Sequence, residues 1–172
     1  ILTSSERAAQ ITNAVLGMAR NRSDEMEPTN LGQIFQESLI LLERELTKYR
    51  IRLDKQFEDV PEAMANGNQI QQVLLNLLIN ARQAMPDGGT ILLKLSHDAD
   101  NEMVVMVVRD SGSGIPKDKL PRIFDRFYST KDGPDESGKG GTGLGLSACR
   151  NIIESHQGRI RVESSVSKGT QF

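Results

Sequence analysis

Three groups of residues in this sequence have types and spacings that suit nucleotide chemistry. Gly141, Gly143 and Gly145 form a G-x-G-x-G pattern directly before a predicted helix. Backbone N–H groups and the dipole at a helix start attract anions such as phosphate, and glycines let phosphate oxygens approach closely. By itself this pattern is equally typical of a flexible glycine-rich surface loop, so the other two groups decide its meaning.

Two better-known phosphate patterns fit the same stretch only in part. Gly138, Gly140 and Gly143 match the dinucleotide fingerprint G-x-G-x-x-G, but that motif follows a strand, and the residues here are the polar DGPDES. Gly133 and Gly138-Lys139 match most of a P-loop, which needs Ser or Thr after the lysine, whereas position 140 is glycine. Both matches are therefore accidental.

The other two groups place polar side chains within apolar segments. Asp110 ends the run EMVVMVVRD, where it either caps a turn or accepts a hydrogen bond from a purine amino group. Asn76 and Asn80 lie four residues apart, on one face of a predicted helix, and interrupt its apolar stripe. They are either a buried hydrogen-bonded pair or ligands for a metal-bound triphosphate, since an amide oxygen suits Mg²⁺.

Hydrophobic periodicity predicts the elements that position these residues. Helices are expected over residues 3–22, 31–49, 68–85 and 144–156, with Asn30 as the cap of the second. Strands are expected over 51–57, 90–97, 102–110 and 158–165, and another opens at 169. Since 90–97 and 102–110 read as an antiparallel hairpin, the fold class is α+β, with helices on one face of a mixed sheet.

Two predicted helices have apolar faces that can be named. In residues 68–85 the buried stripe is Ile70, Val73, Leu74, Leu77, Leu78 and Ala81. In residues 31–49 the apolar face is Ile34, Leu39, Leu42 and Leu46. The first helix is expected to pack on a partner helix outside this sequence, the alternative being that it lies on the body of the domain.

Composition restricts the class of protein. The chain has 172 residues, 37% of them hydrophobic, and a net charge of −2, which gives no reason to expect a nucleic acid partner. The single cysteine, Cys149, excludes an internal disulfide, fits a reducing compartment and is expected to be a buried small hydrophobe. Without a long apolar run, a soluble cytoplasmic domain is expected, with any membrane anchor outside this sequence.

Four motifs, in order and at fitting separations, resemble the ATP-binding domain of bacterial two-component histidine kinases. These kinases share a superfamily, GHKL, with type II topoisomerases and heat-shock chaperone ATPases. NLLINA is similar to the N box, DSGSGIP to the G1 box, IFDRFYSTK to the F box and GGTGLGLS to the G2 box. The resemblance covers residues 31–172, and NARQAMPDGG and FYSTK are similar to the nitrogen-regulation branch.

The resemblance implies a two-layer α/β sandwich of the Bergerat type that binds ATP and Mg²⁺. Asp110 would accept from the adenine amino group and Asn80 would bind Mg²⁺. Phe124 and Phe127 would pack the base of a mobile lid, roughly residues 129–140. The implied ATP-binding residues are Asn76, Asn80, Gln83, Asp110, Gly112, Gly114, Ile123, Tyr128, Lys131, Gly141, Thr142, Gly143, Leu144, Gly145 and Leu146.

The sequence departs from the family pattern at three positions that concern the phosphates. Many relatives have Lys or Arg where this chain has Gln83, and Arg where it has Ser129. Lys131 is the candidate substitute, unless it is only a solvated charge, and Arg126 is a weaker one. Asn76 stands where the hydrolases and serine kinases of the superfamily have an acidic general base, which favours a kinase over an ATPase.

The resemblance also predicts a domain organisation. Residues 1–23 would be the second helix of a dimerisation hairpin, 24–30 a linker and 31–172 the catalytic domain. Neither His97 nor His156 has the phosphoacceptor context, so the acceptor histidine would lie on the missing first helix.

The implied function is transfer of the ATP γ-phosphoryl group to that histidine, then to an aspartate of a response regulator receiver domain. The parent would act as a homodimer through the histidine-bearing helix. Two alternatives stay open: a nucleotide-sensing module without catalysis, and a serine kinase or ATPase of the same superfamily.

Overall fold

The structure of the protein is a computed structural model that describes residues 25–128 and 143–172. Several predictions concern residues outside these ranges: the dimerisation helix over 1–23, the lid over 129–140, and the phosphate contacts of Lys131, Gly141 and Thr142. These stay predictions, as does the division into domains.

Three α-helices form one layer, and their bounds follow the predicted periodicity closely. They are α1 (Leu31–Lys48), α2 (Gly67–Gln83) and α3 (Gly145–Ser155). Asn30 caps α1 as predicted, since its Oδ1 accepts from the Gln33 backbone N–H at 3.0 Å. The cap of α2 is Asn66, whose Oδ1 accepts from the Gln69 N–H at 3.1 Å, so α2 begins one residue earlier than predicted.

A five-stranded mixed sheet forms the second layer, with strand order β2-β4-β5-β7-β6. Its strands are β2 (Ile51–Phe57), β4 (Gly89–Asp98), β5 (Met103–Asp110), β6 (Glu163–Ser165) and β7 (Gly169–Gln171). β2 and β4 are parallel, whereas β4 and β5 form the predicted antiparallel hairpin. β7 pairs antiparallel with both β5 and β6.

The core lies between the helices and one face of this sheet. Ile91, Leu93 and Leu95 alternate along β4 and are fully buried, as the period of two in a strand requires. All six residues of the predicted α2 stripe are buried. On α1, Ile34, Leu39 and Leu46 are buried and Leu42 is partly buried, as its predicted face implies.

Two features of the sheets differ from prediction. β1 (Glu27–Thr29), inside the predicted linker, pairs antiparallel with β3 (Ala63–Ala65), and neither strand was predicted. Three-residue strands are too short to produce a periodic signal. The strand predicted over 158–165 is limited to β6, because its antiparallel partner β7 is itself only three residues long.

Among the helices of residues 25–128 and 143–172, none is long and apolar enough to cross a membrane.

Candidate functional site

Asp110 is the last residue of β5, at the position where the strand turns toward the helix layer. Its alternation with buried Val108 directs the side chain inward, and only 6% of the residue is exposed. Its Oδ1 accepts from the backbone N–H of Gly112 at 2.8 Å and of Thr170 at 3.2 Å. Burial raises the pKa of Asp110 above its usual value, and the backbone hydrogen bonds only partly oppose this.

The loop that follows Asp110, residues 111–115, is called the Asp110 loop below. Its two glycines allow it to approach the end of α2 and the residues of β6. A Cβ at Gly112 would lie 2.6 Å from the carbonyl oxygen of Ala84, just after α2. Gly114 has φ +70°, and a Cβ there would collide with the carbonyl oxygen of Ser165. Both glycines therefore have a packing role that was not predicted, and their predicted contact with a base stays a prediction.

Asn76 and Asn80 lie on the side of α2 that is near both the loop after Asp110 and the start of α3. The Oδ1 of Asn76 lies 3.8 Å from where a Cβ of Gly145 would stand, at the start of α3. Eight residues along α2, the carbonyl oxygen of Ala84 accepts from the N–H of Ser113 in the Asp110 loop at 3.1 Å. Since positions 76, 80 and 84 share one side of a helix, half-buried Asn80 lies between the Asp110 loop and α3.

Asn76 is also one of the groups around the buried thiol of Cys149 on α3. A hydrogen bond with the Asn76 side chain lowers the pKa of Cys149, but burial dominates and raises that pKa to about 12. The Cys149 thiol lies 3.9 Å from the carbonyl oxygen of Val73, one turn before Asn76. The prediction that Cys149 is a buried apolar residue is confirmed.

The G2-box residues that the structure describes begin α3. Gly143 has φ +67°, and a Cβ there would lie 2.5 Å from the carbonyl carbon of Phe127. Leu144 provides no side-chain cap, and the first backbone N–H groups of a helix have no acceptor within it, so this end suits an anion. Leu146 packs against the hydrophobic core, so only its backbone can serve the predicted phosphate contact.

The F-box residues contact α3 and β7. Ile123 is buried, and Phe124 packs edge-on against Phe172 with ring centroids 6.3 Å apart. Phe127 is 76% exposed and its backbone N–H donates to the Gly143 carbonyl at 2.9 Å, while its predicted packing against the lid concerns residues outside the described ranges. That bond joins the two ends of the predicted lid.

Tyr128 and Gln83 have less defined places in the site. Tyr128 is half-buried, and the Arg122 guanidinium lies over its ring in a cation–π contact, 4.6 Å from the centroid. Gln83 is the last residue of α2, three residues after Asn80. Their predicted contacts with ATP stay predictions.

The structure adds two residues to the site that were not predicted. Thr170 donates its backbone N–H to Asp110, and a Cβ at Gly169 would collide with the Asp110 carbonyl oxygen. The only sequence signal was a Gly-Thr pair at the start of the last predicted strand, and nothing local connects it to a residue 60 positions earlier.

This chain is similar to known proteins in both sequence and fold. The family model for histidine kinase-, DNA gyrase B- and HSP90-like ATPases matches residues 65–172. Sporulation kinase E of Bacillus subtilis (strain 168) is 36% identical over 169 residues, which are 97% of this chain but 22% of that protein. The chain therefore spans about a fifth of the length of that relative.

Solved structures agree with the family match. The catalytic domain of histidine kinase ThkA has a TM-score of 0.73 at 31% identity, over 86% of this chain and 91% of that one. ThkA in complex with the response regulator TrrA also has a TM-score of 0.73, at 27% identity, over 98% of this chain and 46% of that one. Full-length ShkA in complex with AMPPNP has a TM-score of 0.78 over 98% of this chain and 35% of that one, and at 24% identity it supports the fold alone.

These matches confirm the predicted Bergerat-type ATP-binding fold. The family model, over residues 65–172, covers Asn76, Asn80, Asp110 and the start of α3. The chain belongs to the family of histidine kinase-, DNA gyrase B- and HSP90-like ATPases, and it is the catalytic ATP-binding domain of a sensor histidine kinase.

Proposed function

We propose that the parent protein transfers the γ-phosphoryl group of ATP to a histidine of its dimerisation helix, and then to an aspartate of a response regulator receiver domain. The observation that carries the proposal is that one side of α2 lies beside both regions, with Asn76 near the start of α3, Ala84 bonded to the Asp110 loop, and Asn80 between them in the helix. A nucleotide along this side of α2 would place its base at Asp110 and its phosphates at α3. The complex of the relative ThkA with a response regulator supports the second transfer.

Each residue would contribute positioning and charge. Asp110 would accept from the adenine amino group, while Gly143 and the first turn of α3 would donate backbone N–H groups to the phosphates. Asn80 would hold Mg²⁺ through its amide oxygen, and the ion would neutralise phosphate charge. In residues 25–128 and 143–172, no group of three or more His, Cys, Asp or Glu side chains could hold a metal ion.

Asn76 favours transfer to a separate acceptor over hydrolysis. Its amide cannot accept a proton at neutral pH. In the structure its side chain forms a hydrogen bond with Cys149 and lies near Gly145 at the start of α3. In the proposed step a bond forms between a histidine nitrogen and the γ-phosphorus, and the bond from that phosphorus to the β–γ bridging oxygen breaks. ADP leaves with the electron pair of the broken bond. Lys131 would assist as a cation on the phosphates.

The nitrogen-regulation branch of these kinases is the finer assignment that we propose. It rests on the segments NARQAMPDGG and FYSTK and on Gln83 at the end of α2. The parent would be a homodimer through its histidine-bearing hairpin.

The transfer is tested by mixing this chain with a histidine-bearing dimerisation segment of the parent and ATP labelled at the γ-phosphate. We expect phosphate on histidine, which is labile in acid and stable in base. Nucleotide binding without any transfer would instead support the nucleotide-sensing module, and phosphate stable in acid would support a serine kinase.

The site is tested by calorimetric titration of Mg·ATP into variants. Asn80→Asp should abolish detectable binding because a carboxylate repels the triphosphate, and Asp110→Ala because it removes the acceptor for adenine. Asn68→Asp, at the exposed far end of α2, and exposed Asp87→Ala are matched controls that should bind normally. Unchanged affinity in both site variants would refute the assignment.

A further inference from the structure

The hydroxyl group of Ser164 bonds the hairpin of β6 and β7 to the Asp110 loop. Its Oγ lies 2.8 Å from the Ile115 backbone nitrogen, 2.9 Å from the Gly169 carbonyl oxygen and 2.9 Å from Thr170 Oγ1. Ile115 closes the Asp110 loop, whereas Gly169 and Thr170 open β7. Ser164 therefore contacts both segments that surround Asp110.

Proton counting shows that the Ser164 hydroxyl uses its full bonding capacity. A hydroxyl carries one proton and two lone pairs. The Ile115 N–H donates to one lone pair, and the Ser164 proton goes to the Gly169 carbonyl. The Thr170 hydroxyl must then donate to the second lone pair. Removing the Ser164 hydroxyl leaves the Ile115 N–H, the Gly169 carbonyl and the Thr170 hydroxyl without this partner at a half-buried position.

The two segments that Ser164 bonds also donate hydrogen bonds to the Asp110 carboxylate. The Thr170 N–H and the Gly112 N–H both donate to Oδ1 of Asp110, which fixes the plane of the carboxylate and the direction of Oδ2. The same hairpin also bonds the loop through the Ser167 N–H, which donates to the Ser113 carbonyl at 2.8 Å. The Asp110 loop thus depends on β6 and β7 for its position.

We propose that Ser164 is a positioning residue for base recognition, in that its hydroxyl keeps Asp110 oriented to accept from an adenine amino group. This inference rests on the proposed function of Asp110. The carboxylate selects adenine over guanine because guanine presents a carbonyl oxygen where adenine has an amino group. The described hydrogen bonds of Ser164 reach Asp110 indirectly, through Ile115, Gly169 and Thr170. Ser164 would therefore affect selectivity by positioning Asp110 and not by touching the nucleotide.

The test is the selectivity ratio, which is the dissociation constant for GTP divided by that for ATP, measured calorimetrically on the full chain. Ser164→Ala should weaken ATP binding about tenfold, an effect typical of unpairing buried polar groups, and should leave GTP binding unchanged. Ser164→Thr, which keeps the hydroxyl, should restore the selectivity. Ser165→Ala, the same change one residue along at an exposed position, is the matched control and should behave as wild type.

The selectivity ratio separates positioning from general stability. A variant that merely lowered the folded fraction would lose ATP and GTP binding by the same factor, and an unchanged ratio in Ser164→Ala overturns the proposal. If Ser164→Ala fails to fold, Ser164→Cys keeps the side-chain shape with a weak hydrogen bond and should lower the same ratio. A wild-type chain that does not prefer ATP to GTP would refute the proposed role of Asp110 itself, which distinguishes the two failures.

Discussion

At the scale of single residues, Asp110 shows burial and hydrogen bonding acting in opposite directions on one carboxylate. Two backbone N–H groups stabilise its charged form, yet burial has the larger effect and raises its pKa. The charged form of this carboxylate therefore costs the folded protein stability. A raised pKa beside a glycine-rich loop is typical of a functional carboxylate.

Asp110→Asn should separate stability from function. The folded-state pKa of Asp110 lies above its unfolded value, so its favourable contribution is complete below the unfolded value and is lost as the pH rises through the folded one. The uncharged variant should therefore gain stability relative to wild type as the pH rises from about 3 to 7, while ATP binding is lost. Chemical denaturation across this pH range measures the difference, and a difference that does not change with pH would contradict the assignment.

At the scale of elements, the two helices that carry the site are joined at their far ends by His156. Its Nδ1 lies 2.7 Å from the Ile152 carbonyl, and its Nε2 accepts from the Asn66 backbone N–H at 3.0 Å. Because a carbonyl only accepts, Nδ1 must carry the proton. His156, the C-cap of α3, is thereby bonded to Asn66, the N-cap of α2.

His156→Ala should destabilise the domain by about 1–3 kcal/mol, because the Asn66 N–H loses its acceptor. His97→Ala is the matched control, since His97 is exposed on β4, and it should change stability by about 0.5 kcal/mol or less. Denaturation in urea measures both effects. Nitrogen NMR should show His156 protonated at Nδ1 in its neutral form, and equal losses in the two variants would show that the bond between the helices contributes nothing.

At the scale of the whole molecule, the sandwich is held by a core between the helix layer and one sheet face. Phe35 of α1 is fully buried and meets Phe57 of β2 edge-on, with ring centroids 5.3 Å apart. Fully buried Leu74 and Leu78 of α2 belong to the same core as Ile91 of β4. Stability thus depends on which face of each helix a residue occupies.

Leu39→Ala and Leu41→Ala, two residues apart on α1, test this dependence with one chemical change. Leu39 is 5% exposed and Leu41 is 63% exposed. The first should lose about 2–5 kcal/mol of unfolding free energy by leaving a cavity, whereas the second should lose about 0.5 kcal/mol or less. Comparable losses in urea denaturation would mean that α1 packs through a different face.

The sequence predicted the elements well because their signals are local. The α2 stripe from Ile70 to Ala81 and the alternation of Ile91, Leu93 and Leu95 repeat over a few residues, so the pattern alone identifies the buried face. The pairing of β1 with β3 was missed because three-residue strands have no such period.

The sequence by itself determined the family and the order of the motifs, and it predicted the residues that would bear the chemistry, because residue types and their spacing are local properties. Only the tertiary structure decided which backbone groups hold those residues in place. Thr170 reaches Asp110 across 60 positions and His156 reaches Asn66 across 90, and neither contact leaves any periodic trace in the chain. Such contacts depend on how the layers pack, which is why Ser164 emerges as a candidate determinant of selectivity only from the folded molecule.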